Sequence, residues 1–242
     1  MCNNQKFAHN CQPKLYRIMS NPKKIAVILS GCGVFDGAEI HEATLTMYAI
    51  AKLGAEYEIF APDIDQLQVI NHLTGKEMKE TRNVLIEAAR IARGNIQELG
   101  HYKAADFDGL VFPGGFGVAK NLSDWVSKGP ESTINAGVEM AIRETVKAGK
   151  PIGALCISPV LLAKVLGDVK VTVGDDAPTI AAIEATGARH VKTGHGEVVI
   201  DKKYKTVTSP CYMLDACIDQ IGAATEKVVK EMIKLMENEK SA

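Results

Sequence analysis

Short apolar runs alternate along the chain with stretches whose apolar positions recur every three or four residues. The run KIAVILS at 24–30 is rich in branched residues, which predicts a central strand buried on both faces. Residues 38–53 place Ile40, Ala43, Leu45, Met47, Ile50 and Leu53 in an approximate helical stripe, and Gly54 is suited to end it. A second strand at 56–61 completes a βαβ opening, which implies a parallel sheet and a right-handed crossover. Beyond it the pattern predicts a helix at 81–93, a strand at 108–112, a helix at 134–148 and a strand running into Cys156. A helix to Leu166, a strand at 169–173, a helix at 177–186, a hairpin over 197–208 and a long helix at 214–239 follow. Residues 63–102 interrupt the rhythm, and 70–75 reads as a turn-containing insertion. No internal repeat or low-complexity linker divides the chain, so the prediction is one doubly wound α/β domain over 23–242. Residues 1–22 form an N-terminal extension, with Met19 an alternative start.

Composition narrows this picture. The 242 residues are 46% hydrophobic and 24% charged with a formal net charge of -1, which argues against a nucleic-acid surface. No apolar run approaches the roughly 18 residues of a membrane helix. The N-terminal segment lacks the apolar core of a secretory signal. Cysteines at 2, 11, 32, 156, 211 and 217 contain no C-x-x-C, so neither a zinc knuckle nor a thioredoxin-type pair is indicated. Free thiols in this number point to a reducing compartment, read as the cytoplasm.

Candidate chemistry gathers at strand ends, where open parallel sheets bind ligands. Three loops stand out: 31–37, 113–117 and 156–159. The first has Gly31-x-Gly33-x-x-x-Gly37, one residue too long for a dinucleotide fingerprint, and Phe35 and Asp36 bring bulk and charge where a pyrophosphate would approach. No cofactor and no metal are expected. Cys156 ends an apolar strand and precedes Pro159, a residue suited to a first helical turn. A side chain at such an elbow stands above the sheet with the helix's unpaired N–H groups towards it, which favours a nucleophilic thiolate. A small buried hydrophobe is the alternative reading of Cys156. The Pro113–Gly117 turn lets its backbone N–H groups approach a carbonyl, and with the Ile157 N–H it offers an oxyanion hole. Glu39 and Glu42 lie three apart on the first helix. Glu39 reads as a first-turn acid interacting with the helix dipole, and Glu42 as the acid that reaches the crevice. His195-Gly196-Glu197 has the spacing of a His-x-Glu relay but precedes a hairpin strand, and His41, His72 and His190 read as surface or structural histidines.

The elbow Ala154-Leu155-Cys156-Ile157-Ser158-Pro159, the Pro113-Gly114-Gly115-Phe116-Gly117 loop and the first-helix acid together resemble the ThiJ/PfpI superfamily, within the class I glutamine amidotransferase-like fold. The opening Ile28-Leu29-Ser30-Gly31-Cys32-Gly33-Val34-Phe35-Asp36-Gly37-Ala38-Glu39-Ile40-His41-Glu42 is similar to the ElbB branch, the "enhancing lycopene biosynthesis" or glyoxalase-like proteins. So are Val69-Ile70-Asn71-His72-Leu73-Thr74-Gly75 and the segment 80–91. The resemblance implies a flavodoxin-like sheet with helices on both faces, Cys156 as nucleophile, Glu42 as the acid, and Gly115 and Ile157 as oxyanion-hole donors. It also implies a cofactor-independent glyoxalase converting glyoxal to glycolate, or related deglycase chemistry, a link to isoprenoid biosynthesis, and a homodimer. Two departures stand against full transfer. Ile157 follows the cysteine where many superfamily hydrolases have histidine, and Ser209-Pro210-Cys211-Tyr212 stands where glutaminases carry His-x-Glu. A redox-sensing or chaperone-like protein with an oxidisable Cys156 and an amidotransferase-like subunit are the rival readings.

Overall fold

The computed structural model describes residues 22–237; the N-terminal extension with Cys2, Cys11 and Met19, and the predicted last residues of the final helix, lie outside them. Seven strands form the central sheet: β1 (Lys24–Ile28), β2 (Glu56–Ala61), β3 (Gln97–Glu98), β4 (Gly109–Phe112), β5 (Ile152–Leu155), β6 (Val199–Asp201) and β7 (Thr206–Ser209). Their order is β6-β7-β5-β4-β1-β2-β3, and only the β6–β7 pair is antiparallel. Six helices of eight residues or more accompany them: α1 (Ile40–Lys52), α2 (Val84–Ile91), α3 (Ala136–Lys147), α4 (Pro159–Leu166), α5 (Ala177–Ala185) and α6 (Ile218–Glu237).

Successive side chains of a strand point to opposite faces, so a central strand feeds two cores. Ala26 and Ile28 of β1 join Leu110, Phe112, Ile152 and Ala154 beneath α3 and α4. Ile25, Val27 and Leu29 join Val111, Leu155 and Val207 beneath α1, α2 and α6. All five β1 and β4 apolar positions named here from Ile25 to Ile28 and at Leu110 are fully buried. Each contributes about 1.5–3 kcal/mol by burial if large. That is why KIAVI is apolar at every position after Lys24 rather than at alternate ones. The sheet of the flavodoxin-like, class I glutamine amidotransferase-like fold is thus sandwiched between two helical layers.

Several boundaries differ from expectation, and caps account for most of them. Glu39 is extended and its carboxylate accepts from the Glu42 N–H at 2.7 Å, so α1 starts at Ile40 rather than 38. Asn83 and Asn135 cap α2 and α3 in the same way, which trims both predicted helices. The strand expected at 169–173 shrinks to Lys170–Val171 and pairs with Arg189–His190, outside the central sheet. The segment predicted to open α6 at 214 is preceded by a 3-10 turn at Cys211–Met213, and the helix begins at Ile218.

Candidate active site

β1 and β4 are neighbours whose connections leave in opposite directions, and their carboxyl ends make the crevice at the switch point. The loops after β1 and β4 are stitched across it. Phe116 N–H donates to Val34 O at 2.7 Å, Gly117 N–H to Gly37 O at 2.9 Å, and Glu39 N–H to Gly114 O at 2.8 Å. The buried Asn121 amide adds a clamp, donating to Ser30 O (2.9 Å) and Asp36 O (2.8 Å) while accepting from Leu67 N–H (3.0 Å).

The glycines of the first loop are absorbed by this packing. At Gly33 any side chain would meet the His72 ring, with Nε2 2.6 Å from the position of a Cβ. His72 is itself fixed by both nitrogens: Nδ1–H donates to Ile70 O at 2.9 Å and Nε2 accepts from Phe35 N–H at 3.2 Å. The insertion at 70–75 therefore covers the loop, with the His72 ring against Gly33.

Cys156 follows β5 and stands at φ 58°, in the left-handed region. For a residue with a Cβ that backbone costs about 1–3 kcal/mol, and such strain collects where side-chain placement matters. The elbow is held by Cys156 N–H donating to Ser209 O at 3.0 Å and by Ser158 Oγ donating to Pro113 O at 2.8 Å. Pro159 is the first residue of α4, as the sequence predicted. Cys156 is 7% exposed, and the backbone N–H groups of Gly115 and Ile157 favour charge on its thiol. Gly115 is at φ 102°, and a side chain there would collide with Gly37 O and Glu39 N, so only glycine lets this N–H approach the thiol.

Glu42 is fully buried and hydrogen-bonded to Cys156. Its Oε2 accepts from Gly114 N–H at 2.8 Å and its Oε1 from Tyr212 N–H at 3.2 Å. Burial, then the neighbouring Glu39 carboxylate, pushes Glu42 up to about 8, against the pull of those hydrogen bonds. Burial and then Glu42 push the Cys156 thiol well above its ordinary range, and the Gly115 and Ile157 N–H groups only partly oppose this. The helix-start effect expected to favour the thiolate is present but outweighed. At neutral pH the resting pair is a thiol beside a protonated carboxyl.

The structure thus brings Cys156, Glu42, Gly115 and Ile157 together. No histidine is among the groups acting on Cys156 or Glu42. His195 is exposed on the loop before β6, and His190 accepts from Val173 N–H at 3.2 Å. Glu39 serves as the α1 cap. Two neighbours escaped the sequence reading: Tyr212, through its N–H on Glu42, and the buried Cys211 beside Cys156. The available signal was the turn Pro210-Cys211 directly after a strand end. Among the described residues no group of three His, Cys, Asp or Glu side chains is placed to hold a metal ion. No helix among them is long and apolar enough to cross a membrane.

A cysteine at a strand-to-helix elbow, beside a first-helix carboxyl on this sheet order, places the molecule in the class I glutamine amidotransferase-like fold class. Within it, the chain belongs to the DJ-1/PfpI family, whose model matches residues 23–219. The human protein named glutamine amidotransferase-like class 1 domain-containing protein 3, mitochondrial, is 46% identical over 221 residues, spanning 86% of this chain and 82% of that protein. The zebrafish (Danio rerio) ES1 protein, mitochondrial, is 32% identical over 233 residues, spanning 87% and 86%. A crystal structure from Ehrlichia chaffeensis, described as an isoprenoid biosynthesis protein with amidotransferase-like domain, superposes with a TM-score of 0.83 at 36% identity. It covers 88% of this chain and 99% of that one. The mitochondrial names of the relatives overturn the cytoplasmic placement expected from the thiols. Free cysteines report only that a compartment is reducing, which does not single out the cytoplasm.

Proposed function

We propose that the protein is a cofactor-independent glyoxalase-type enzyme acting on small aldehydes through Cys156, in a mitochondrial compartment like that named for its relatives. The observation that carries the reading is the Cys156 sulfur on a strained elbow, facing two backbone N–H groups and one buried carboxyl. A cysteine only 7% exposed suits a two-carbon dialdehyde better than a peptide.

In this reading turnover starts from the fraction with Glu42 ionised: the Cys156 sulfur adds to one carbonyl carbon of glyoxal as Glu42 takes the thiol proton and passes it to the resulting oxygen, which leaves Glu42 ionised again. The N–H groups of Gly115 and Ile157 stabilise the charge that develops on that oxygen. Glu42, ionised at this stage, removes the hydrogen from the same carbon and returns a proton to the second carbon. The first carbon becomes a thioester and the second a hydroxymethyl group. Water then hydrolyses the thioester, releasing glycolate and the free thiol. A carboxyl poised near 8 suits a group that must both accept and return a proton around neutrality.

Glycolate formation from glyoxal by the purified protein tests the proposal. Cys156→Ala is expected to abolish turnover and Glu42→Gln to reduce it at least about 100-fold, the usual contribution of a positioned acid-base. Wild-type turnover in Cys156→Ala refutes the mechanism. Glutamine offered in parallel is expected to release no ammonia, because among the described residues no histidine is among the main groups acting on Cys156. The homodimer belongs to the same reading, and sedimentation showing a monomer removes that part.

A further inference from the structure

Cys211 is a buried thiol next to the site that the proposed reaction leaves unused. Leu155 of β5 is in register with Ser209 of β7, and Cys156 N–H bonds Ser209 O at 3.0 Å. Cys156 lies one residue past that pair and Cys211 two past it. Pro210 is helical, at φ -70° and ψ -27°, so the chain turns directly after β7 and the two cysteines leave adjacent strand ends. Cys211 is 4% exposed and also left-handed, at φ 41°. The Cys156 N–H and the Cys156 thiol both act on the Cys211 thiol, which puts the two groups side by side. Glu42 spans both cysteines, bonded to Cys156 and, through Oε1, to the N–H of Tyr212 directly after Cys211. Two strained backbones thus hold two buried thiols beside one buried carboxyl.

We propose that Cys211 is a resolving cysteine for Cys156: a hydroperoxide oxidises Cys156 to the sulfenic acid, and Cys211 captures it as an intramolecular disulfide. In the first step the Cys156 sulfur takes the terminal oxygen of the hydroperoxide, and the corresponding alcohol or water departs. In the second, the Cys211 sulfur attacks the Cys156 sulfur, the S–O bond breaks, and the Cys211 proton leaves with the hydroxyl as water. Glu42 lies where it can carry that proton. The bridge blocks the nucleophile reversibly and keeps Cys156 from the irreversible sulfinic state. The inference rests on the reading of Cys156 as a reactive thiol.

The test treats the reduced full-length protein with hydrogen peroxide and reads intact mass and cysteine-containing peptides. Wild type is expected to lose about 2 Da, with the Cys156 and Cys211 peptides joined and a dithiol reductant restoring free thiols. Cys211→Ser and Cys211→Ala are expected to gain about 32 Da at Cys156 instead. Wild type gaining that sulfinic mass at Cys156, with Cys211 still a free thiol, overturns the pairing. A haloacetamide arm on reduced protein separates the two claims. Cys156 alkylated but never joined to Cys211 sinks the pair alone, whereas Cys156 neither alkylated nor oxidised sinks the nucleophile reading with it.

Discussion

Replacing Glu42 by Gln changes stability with a sign that depends on pH. The Glu42 carboxyl titrates near 8 in the folded protein against 4.5 for the free group, because burial and Glu39 oppose its charge. A folded value above the unfolded one means that the stabilising contribution is complete below 4.5 and lost as pH rises through about 8. A shift of that size corresponds to about 5 kcal/mol. Glutamine does not titrate and escapes this loss. It brings its own cost, because its amide nitrogen must face the N–H of either Gly114 or Tyr212, both of which now donate to carboxylate oxygens. Opposing two buried donors costs about 1–3 kcal/mol at any pH. The variant is therefore expected to be less stable than wild type by about 1–3 kcal/mol near pH 4, and more stable by about 2–4 kcal/mol near pH 9. Urea unfolding at several values across this range measures the difference, since denaturant midpoints compare like with like when the slopes agree. A Gln variant whose deficit stays constant from acid to alkaline pH refutes a raised Glu42. The same substitution relieves Cys156 of its like-charge neighbour, so haloacetamide labelling of Cys156 is expected to start at lower pH in the variant while glyoxal turnover falls.

Two further substitutions probe the frame around the site. Gly115→Ala puts a side chain at φ 102° against Gly37 O and Glu39 N, and is expected to cost about 3–5 kcal/mol in urea unfolding and to lower Cys156 labelling by displacing one N–H donor. Asn121→Ala leaves the carbonyls of Ser30 and Asp36 and the Leu67 N–H without their partner, and is expected to cost about 2–4 kcal/mol. A change under about half a kcal/mol in that variant removes Asn121 as the clamp between the loops.

The parts of the fold that were legible in the sequence are those whose burial leaves no freedom. β1 is apolar at every position after Lys24 because it feeds two cores, and β4 and β5 follow from the same constraint. β3 was not legible: two polar-containing residues, Gln97 and Glu98, pair only at Phe60 and Ala61 on the sheet edge. Helix ends were misread where Asn83, Asn135 and Glu39 cap rather than extend their helices, since the same side chains fit either role until the backbone turns.

The site divides along a similar line. Its residues could be named because a strand end brings nucleophile, glycine turn and first-helix acid to one crevice, whatever the remainder of the chain does. Its electrostatics could not, because they depend on contacts far apart in sequence. The Tyr212 N–H on Glu42 spans 170 positions, and nothing local to either residue announces it. A helix start suggested an easily ionised thiol, yet full burial of Glu42 and near-full burial of Cys156 reverse the balance. Two like charges within one pocket cannot both form cheaply, so the pair gives up its protons in sequence, and the first loss activates either the base or the nucleophile but not both. Catalysis by such a pair requires the proton to leave Cys156 as the carbon–sulfur bond forms. The Gly115 and Ile157 N–H groups serve that requirement, since they favour charge on Cys156 against burial and Glu42.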